Sequence, residues 1–171
     1  NFVSYLAGLD GKQRREIRRK LRRADAEGAS AVFVTNPSNQ YLEIQEFITL
    51  MESSGKDKAA FLDSKMRAPY ISILQSMQDA GLLQLCFLRL GDYNLASYAY
   101  FSMGDTLYLY NSGYDVSQYG ALSPGWVLLA KLFDYAIKTG HKRFDFMRGN
   151  EDYKYKFGGE DVSLIQLIIN R

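Results

Sequence analysis

The chain has 171 residues, of which 47% are hydrophobic and 23% are charged, and its 21 Lys and Arg against 19 Asp and Glu give a formal net charge of +2. This composition is typical of one soluble globular domain and excludes a disordered or collagen-like chain. The longest apolar runs, such as residues 164–169, are far shorter than the roughly 20 residues of a membrane-spanning helix.

The single cysteine, Cys86, lies between apolar neighbours and has no partner for a disulfide within the chain. We expect a small buried side chain in a reducing, cytoplasmic environment. The chain begins at Asn1, without Met and without a cationic-then-apolar leader, which favours a domain taken from a longer protein. An N-terminal domain that precedes this one is therefore an expected partner.

The positive charge is concentrated near the N-terminus, where eight of the 21 basic residues fall between Lys12 and Arg23. Ile17, Leu21 and Ala24 form one narrow apolar stripe of a helix. We predict a basic helical segment over residues 1–28, ahead of a domain over residues 29–171. A solvated or interdomain helix is favoured over a nucleic-acid binder, because basic surface and interleaved aromatic residues are missing elsewhere.

The first half of the domain is predicted to contain a strand, two helices and three further strands. Residues 31–34 predict a strand that ends in a turn over residues 36–38. Apolar residues at helical spacing predict one helix that begins at Asn39 and, after a break at Gly55, a second helix from Phe61 to Ala80. Strand-like runs over residues 82–90, 95–102 and 106–110 are joined by Gly-Asp dipeptides, which predicts an antiparallel meander.

The second half contains the clearest helix, which begins with Ser123 as N-cap and Pro124 at the first position and closes at Gly140. Strands are predicted over residues 142–147 and 162–169, with a short turn or helix over residues 149–157 between them. The crossover through the Pro124 helix implies one parallel strand pair. We therefore predict an α/β (α+β) fold with a mixed, mostly antiparallel sheet and helices on both faces.

Two stretches of the sequence contain candidate ligand-binding or catalytic residues. The helix that begins Ser123-Pro124-Gly125 offers free amides to an anion, although a Pro and a nearby Gly are also ordinary helix-start residues. Residues 144–159 are dense in charges, tyrosines and glycines. Arg148 or Lys154 is a candidate ion-pair partner of Asp145, in a pair that is either structural or functional. No metal-ligand cluster, serine triad or P-loop is recognisable, and we predict no metal site.

The order of elements, together with two motifs, resembles the GNAT acyltransferase superfamily and more closely its CelD-like branch, the acetyltransferases associated with cellulose and exopolysaccharide biosynthesis. The motifs are Ser123-Pro124-Gly125 with Leu128, and Phe144-Asp145-Phe146-Met147-Arg148-Gly149 followed by Tyr153-Lys154. The tail over residues 153–159 also looks like the aromatic-Lys segment of the Fem peptidyltransferases, which carry two such domains and use aminoacyl-tRNA.

The resemblance implies a GNAT-like fold with acetyl-CoA or another acyl-CoA between two splayed parallel strands, Thr106 to Ser112 and Arg143 to Met147. The pyrophosphate would lie at the N-terminus of the Pro124 helix, and amides from Asn111 to Gly113 would hold the thioester carbonyl and stabilise an oxyanion. The implied cofactor-binding residues are Asn111, Ser112, Gly113, Gly120, Ala121, Ser123, Gly125 and Arg148. The loop from Gln118 to Ala121 is one residue short of the usual GNAT spacing.

The implied catalytic set is Tyr153, Asp115, Asp145 and Lys154. Tyr153 is the candidate acid for the leaving thiolate, and Asp115, ahead of Asp145 and Glu151, is the candidate base.

The resulting hypothesis is an N-acyltransferase that moves an acyl group from acyl-CoA to an amine, such as an amino sugar or a polysaccharide precursor. The acceptor would be a small molecule or a glycan. Two alternatives stay open: a Fem-like transferase that uses aminoacyl-tRNA, and a non-catalytic interaction domain with a GNAT fold.

Overall fold

The computed structural model describes residues 1–34, 40–115, 117, 119–163 and 165–169. It contains seven α-helices, five strands and one short 3-10 helix within those residues. The bounds are α1 Phe2–Gly8, α2 Gly11–Ala26, β1 Ser30–Phe33, α3 Gln40–Ser53, α4 Lys56–Phe61, α5 Arg67–Asp79, β2 Leu83–Leu90, β3 Tyr93–Met103, β4 Thr106–Tyr114, the 3-10 helix Gly120–Leu122, α6 Pro124–Lys138, β5 Arg143–Asp145 and α7 Asp152–Lys156.

The five strands form one sheet in the order β1-β2-β3-β4-β5. Strands β1 to β4 pair antiparallel, whereas β4 and β5 pair parallel through the crossover helix α6. The tight turns of the meander have Gly91 and Gly104 at positive φ of 57° and 60°, a conformation that glycine adopts without strain. The predicted mixed sheet with one parallel pair is confirmed.

Helices cover both faces of the sheet because side chains of successive strand residues point to opposite faces. On one face, Leu88, Leu107 and Leu109 pack in a core with the buried side of α6. On the other face, Leu85, Phe87 and Ala99 pack against α3 and α5. The single cysteine, Cys86, is fully buried, as predicted, and its burial raises the pKa of the thiol.

The basic N-terminal segment consists of two helices rather than one. The first ends at Gly8, and Asp10 caps the second, because its carboxylate accepts a hydrogen bond from the Lys12 amide at 2.8 Å. Leu6, Ile17 and Ala24 belong to the same core as α6, and Lys131 on α6 pairs with Asp25 at 2.7 Å. The N-terminal helices therefore pack on the body of the domain, while the division at residue 28 stays a prediction.

Several predicted bounds are wrong. The helix expected from Phe61 to Ala80 begins only at Arg67, because Phe61 ends the separate helix α4 and the chain turns between these two residues. The strand expected over residues 142–147 ends at Asp145, whose carboxylate accepts from the Met147 amide at 2.6 Å and turns the chain. The turn predicted over residues 36–38 lies outside the described residues.

The final strand predicted over residues 162–169 is absent from the part of this segment that the structure describes. Its side chains are exposed, with Val162 at 85% and Ile165 at 94%. The β-branched composition favours a strand, but a strand forms only where a neighbouring edge supplies its hydrogen bonds.

Candidate active site

The parallel pair β4–β5 opens into a cleft after only three paired positions. The pairing runs from Thr106 with Arg143 to Tyr108 with Asp145. Two residues later β4 contains a bulge, since Ala99 of β3 pairs with Asn111 and Tyr100 pairs with Leu109. Tyr110 is the extra residue, and a bulge of this kind bends its strand. The strands therefore diverge beyond Tyr108, as the resemblance implied.

A cavity of about 500 Å³ occupies this cleft. That volume lies within the range of roughly 300–1,000 Å³ typical of small-molecule sites. Its walls are formed mainly by the end of β4, the start of α6 and the segment from Phe146 to Lys154, with single residues from α4, β3 and the 3-10 helix. The lining residues are Lys58, Tyr98, Leu109, Tyr110, Asn111, Ser112, Tyr114, Gly120, Ser123, Pro124, Gly125, Trp126, Leu129, Phe146, Arg148, Glu151, Tyr153 and Lys154.

The N-terminus of α6 faces this cavity. The amide of Val127 donates to Ser123 O at 3.1 Å, so the amides of Gly125 and Trp126 precede the helical hydrogen-bond ladder. Ser123 is the N-cap residue, as predicted, but it has a left-handed backbone and its hydroxyl makes no capping hydrogen bond. Its Oγ instead accepts a hydrogen bond from Lys20 Nζ at 2.9 Å.

Two cations from different elements lie beside Trp126 at this helix start. Lys20 Nζ of α2 lies 4.5 Å from the Trp126 ring centroid, and Lys156 Nζ of α7 lies 5.8 Å from it. Glu16 and Asp152 are their respective ion-pair partners. The basic segment thus places one ammonium group, that of Lys20, against Ser123 and Trp126 of the cavity wall, which the sequence did not reveal.

Lys154 is buried, with 6% of its surface exposed, and its ammonium group is fully engaged. Nζ donates to Arg148 O at 3.0 Å and to Gly149 O at 3.2 Å, and it pairs with Glu151 Oε2 at 2.8 Å. These bonds hold the segment from Arg148 to Glu151 against α7. In this arrangement Lys154 positions the cavity wall.

We expect Lys154→Ala to lower the free energy of unfolding by about 2 kcal/mol, because it removes a buried side chain together with its ion pair to Glu151 and its hydrogen bonds to Arg148 O and Gly149 O. Lys156→Ala is the matched control, since its ion pair with Asp152 lies on the surface and contributes at most about 0.5 kcal/mol. Urea denaturation of both variants measures the difference. Equal midpoints for the two variants would contradict a structural role for Lys154.

Four tyrosines, Tyr98, Tyr110, Tyr114 and Tyr153, line the cavity together. The Tyr98 hydroxyl is already engaged, since it donates to Gly125 O at 3.2 Å. Burial, with smaller contributions from Glu151 and Tyr114, raises the pKa of Tyr153 to about 12. Tyr153 therefore keeps its proton at neutral pH, so a proton is present on its hydroxyl for transfer.

The structure separates the candidate carboxylates. Asp145 accepts from the Met147 amide, and Asp115 accepts from the Ser117 amide at 2.7 Å and its hydroxyl at 2.6 Å. Neither is part of the cavity lining, whereas Glu151 is. The hydrogen bond from Lys154 lowers the pKa of Glu151, so Glu151 is a carboxylate at neutral pH.

Six of the eight predicted cofactor-binding residues line the cavity: Asn111, Ser112, Gly120, Ser123, Gly125 and Arg148. Ala121 is exposed outside the lining. Gly113 is buried where β4 meets α3. The Ser112 amide, expected near the thioester carbonyl, donates to its neighbour Asn111 Oδ1 at 2.8 Å.

Lys58 is a cavity residue that the sequence did not single out. It lies on α4, and its Nζ donates to Ser112 O at 2.5 Å and to Ser112 Oγ at 3.1 Å. Burial lowers the pKa of Lys58, although the charge of Glu151 opposes this shift. Lys58 lies in a six-residue helix without clear apolar periodicity, so its place in the cavity wall could not be predicted from the sequence.

Comparison with known proteins identifies the family. The family model of the acetyltransferase (GNAT) domain matches residues 11–155, which is most of the chain. The chain belongs to the GNAT acetyltransferase family. A search of curated proteins found no match.

Solved structures share the GNAT fold at low sequence identity. An aminoglycoside acetyltransferase from an uncultured soil metagenomic sample, in complex with sisomicin, is 15% identical with a TM-score of 0.58, and the match covers 86% of this chain and 99% of that one. A ribosomal-protein-alanine N-acetyltransferase from Brucella melitensis biovar Abortus 2308 is 10% identical with a TM-score of 0.51, covering 84% and 99%.

FemX is 12% identical with a TM-score of 0.63, and the match covers 89% of this chain but 51% of FemX. The GNAT chain therefore spans about half the length of FemX. Among the described residues no helix is long and apolar enough to cross a membrane, and no group of three or more His, Cys, Asp or Glu side chains could hold a metal ion.

Proposed function

We propose that this GNAT domain is an N-acyltransferase that moves an acyl group, acetyl in the simplest case, from acyl-CoA to an amine acceptor. The observation that carries the proposal is the cavity in the β4–β5 cleft, with the start of α6 on one wall and proton-carrying side chains on another. An amino sugar or polysaccharide precursor, as in the CelD-like branch, is the acceptor that we favour, in a cytoplasmic setting.

The residues at the start of α6 fit the phosphates of an acyl-CoA. The amides of Gly125 and Trp126 precede the helical ladder, and a helix N-terminus attracts negative charge. Lys20 and Lys156 place two ammonium groups beside Trp126, each paired with a carboxylate of its own helix. The glycine at position 125 leaves the space next to the Tyr114 ring unfilled. These groups would supply contacts to the phosphates in place of those that the shortened loop between Gln118 and Ala121 lacks.

Acyl-CoA supplies an activated thioester when it is bound, and the chain supplies positions and proton transfer. Backbone groups near Asn111, where the bulge frees β4 from regular pairing, would hold the thioester carbonyl. Glu151, charged at neutral pH, would take a proton from the acceptor amine. Tyr153, neutral at the same pH, would give a proton to the departing thiolate.

Steady-state transfer from acetyl-CoA to glucosamine, followed by thiol release, tests this assignment with Tyr153→Phe. We expect kcat to fall about 100-fold, the lower end of the usual effect of a positioned acid. Because the pKa of Tyr153 is raised to about 12, deprotonation of this tyrosine should not reduce the wild-type rate up to about pH 9.

The control is Tyr155→Phe, since Tyr155 is exposed and bonds Asp161 at 2.8 Å outside the cavity. A Tyr153→Phe variant with the wild-type kcat would remove Tyr153 from the catalytic set.

A Fem-like aminoacyl transferase is the second candidate, and the exposed basic face of α2 favours it. Arg18, Arg19, Arg22 and Arg23 are exposed and form no ion pair with a described residue. Such a face suits a phosphate backbone. Binding of aminoacyl-tRNA that weakens steeply with salt, without binding of acetyl-CoA, would establish this candidate instead.

A further inference from the structure

A second, smaller cavity adjoins the first on the side of α3 to α5. We name it the side notch; it has a volume of about 260 Å³ and is lined by Met51, Asp57, Lys58, Phe61, Tyr70, Tyr110 and Asn111. Three of these residues, Lys58, Tyr110 and Asn111, also line the main cavity. The notch thus opens beside the β4 bulge, where the proposed transfer takes place.

Three of the seven residues that line the side notch are aromatic. Phe61 and Tyr70 meet edge to face with their centroids 5.4 Å apart, and Tyr110 lies on the β4 side. Met51 contributes a flexible apolar surface from α3. The volume is just below the range of drug-sized ligands. Its size and flat apolar walls therefore suit one small ring.

Tyr70 contributes a buried hydroxyl group to the wall of the side notch. Its side chain is only 4% exposed, and its hydroxyl has no hydrogen-bond partner among the described residues. The hydroxyl is close enough to Tyr110 and Asn111 for these neighbours to affect its pKa, which burial chiefly raises, but it forms no well-aligned bond with either. A buried hydroxyl without a partner is destabilising, so a ligand hydroxyl that reached it would recover that loss.

Two charged groups complete the side notch. The Lys58 ammonium group is bound to Ser112, so it is held at the junction of the two cavities. Asp57 is exposed at the rim and has no ion-pair partner among the described residues. A free carboxylate at the rim favours an approaching cation such as a protonated amine.

We infer that the side notch is the acceptor subsite and takes a small amine built on a single hydroxylated ring, as in an amino sugar. The inference rests on the proposed acyl-CoA-dependent function. The ring lies against Phe61 and Tyr110, a ring hydroxyl bonds Tyr70, and the amine points to Asn111 in the main cavity. Specificity then comes from Tyr70, because an acceptor without hydroxyls leaves its phenol unpaired.

The test compares glucosamine with cyclohexylamine, an amine on a six-membered ring without hydroxyls, in acetyl transfer by wild type, Tyr70→Phe and Tyr100→Phe. Tyr100 is the matched control because its hydroxyl is also buried without a partner among the described residues, but in the core on the α6 face of the sheet. Both variants should fold, since each loses only an unpaired hydroxyl.

We expect Tyr70→Phe to raise the KM for glucosamine roughly tenfold, with kcat and the KM for cyclohexylamine unchanged, and Tyr100→Phe to change neither. An unchanged KM for glucosamine in Tyr70→Phe would overturn the inference. So would a wild type that binds acetyl-CoA in calorimetry but transfers to neither amine. If the wild type does not bind acetyl-CoA, the proposed acyl-CoA-dependent function is wrong. Calorimetry therefore distinguishes failure of the acceptor subsite from failure of the proposed function.

Discussion

Gly113→Ala is expected to destabilise the domain by about 3 kcal/mol, a large part of the stability of an ordinary domain. Gly113 lies in β4 where the strand touches α3. A Cβ there would stand 2.5 Å from the carbonyl carbon of Leu50 and 2.8 Å from Cα of Met51. These are backbone atoms that cannot rotate aside, so α3 would have to move away from the sheet.

Urea denaturation checks this result, with Gly55→Ala as the control. Gly55 has extended backbone, and no described atom lies within 4 Å of the position that an added methyl group would take. Its substitution should therefore leave the free energy of unfolding nearly unchanged. If Gly113→Ala unfolded at the wild-type urea concentration, the close contact between β4 and α3 would be wrong. Cofactor binding by Gly113, expected from the resemblance, stays a prediction.

Gly125→Leu is expected to weaken acetyl-CoA binding at least about 100-fold, which corresponds to about 2.7 kcal/mol. Gly125 lines the cavity at the start of α6. A Cβ at this position would lie 3.5 Å from the Tyr114 ring, an ordinary contact that the fold tolerates. The rest of the leucine side chain would occupy the space beside Tyr114 that we assign to the ligand.

Calorimetry gives the affinity, and thermal unfolding confirms that the variant is folded. Gly8→Leu is the matched control, because no described atom lies within 4 Å of a methyl group placed on Gly8 and Gly8 is not part of the cavity lining. Wild-type affinity in a folded Gly125→Leu protein would place the ligand elsewhere.

The sequence predicted the order of elements well because the signals were local. Apolar spacing and Pro124 located α6, and the Gly-Asp turns separated β2, β3 and β4. The crossover between β4 and β5 then dictated a parallel pair. The strand predicted over residues 162–169 was wrong for a physical reason. Its β-branched composition is a local property of the sequence, whereas a strand also needs hydrogen bonds from a neighbouring strand elsewhere in the chain.

The family resemblance predicted where the candidate site lies, between β4, β5 and the start of α6. It did not predict which hydrogen bonds and contacts the individual side chains make. Asp115 and Asp145 follow strand ends, yet each carboxylate binds the backbone of its own turn. Lys58 and Tyr70 reach the cavities only because α4 and α5 pack beside the β4 bulge. Contacts between elements distant in sequence cannot be predicted from spacing or composition.

Calorimetric titration of the unmodified chain with acetyl-CoA tests the central claim most directly. We predict saturable binding of one acetyl-CoA per chain with a Kd in the micromolar range, because the cleft, the α6 amides and the nearby lysines are already in place. Absence of binding by the folded chain would contradict an acyl-CoA-dependent transferase.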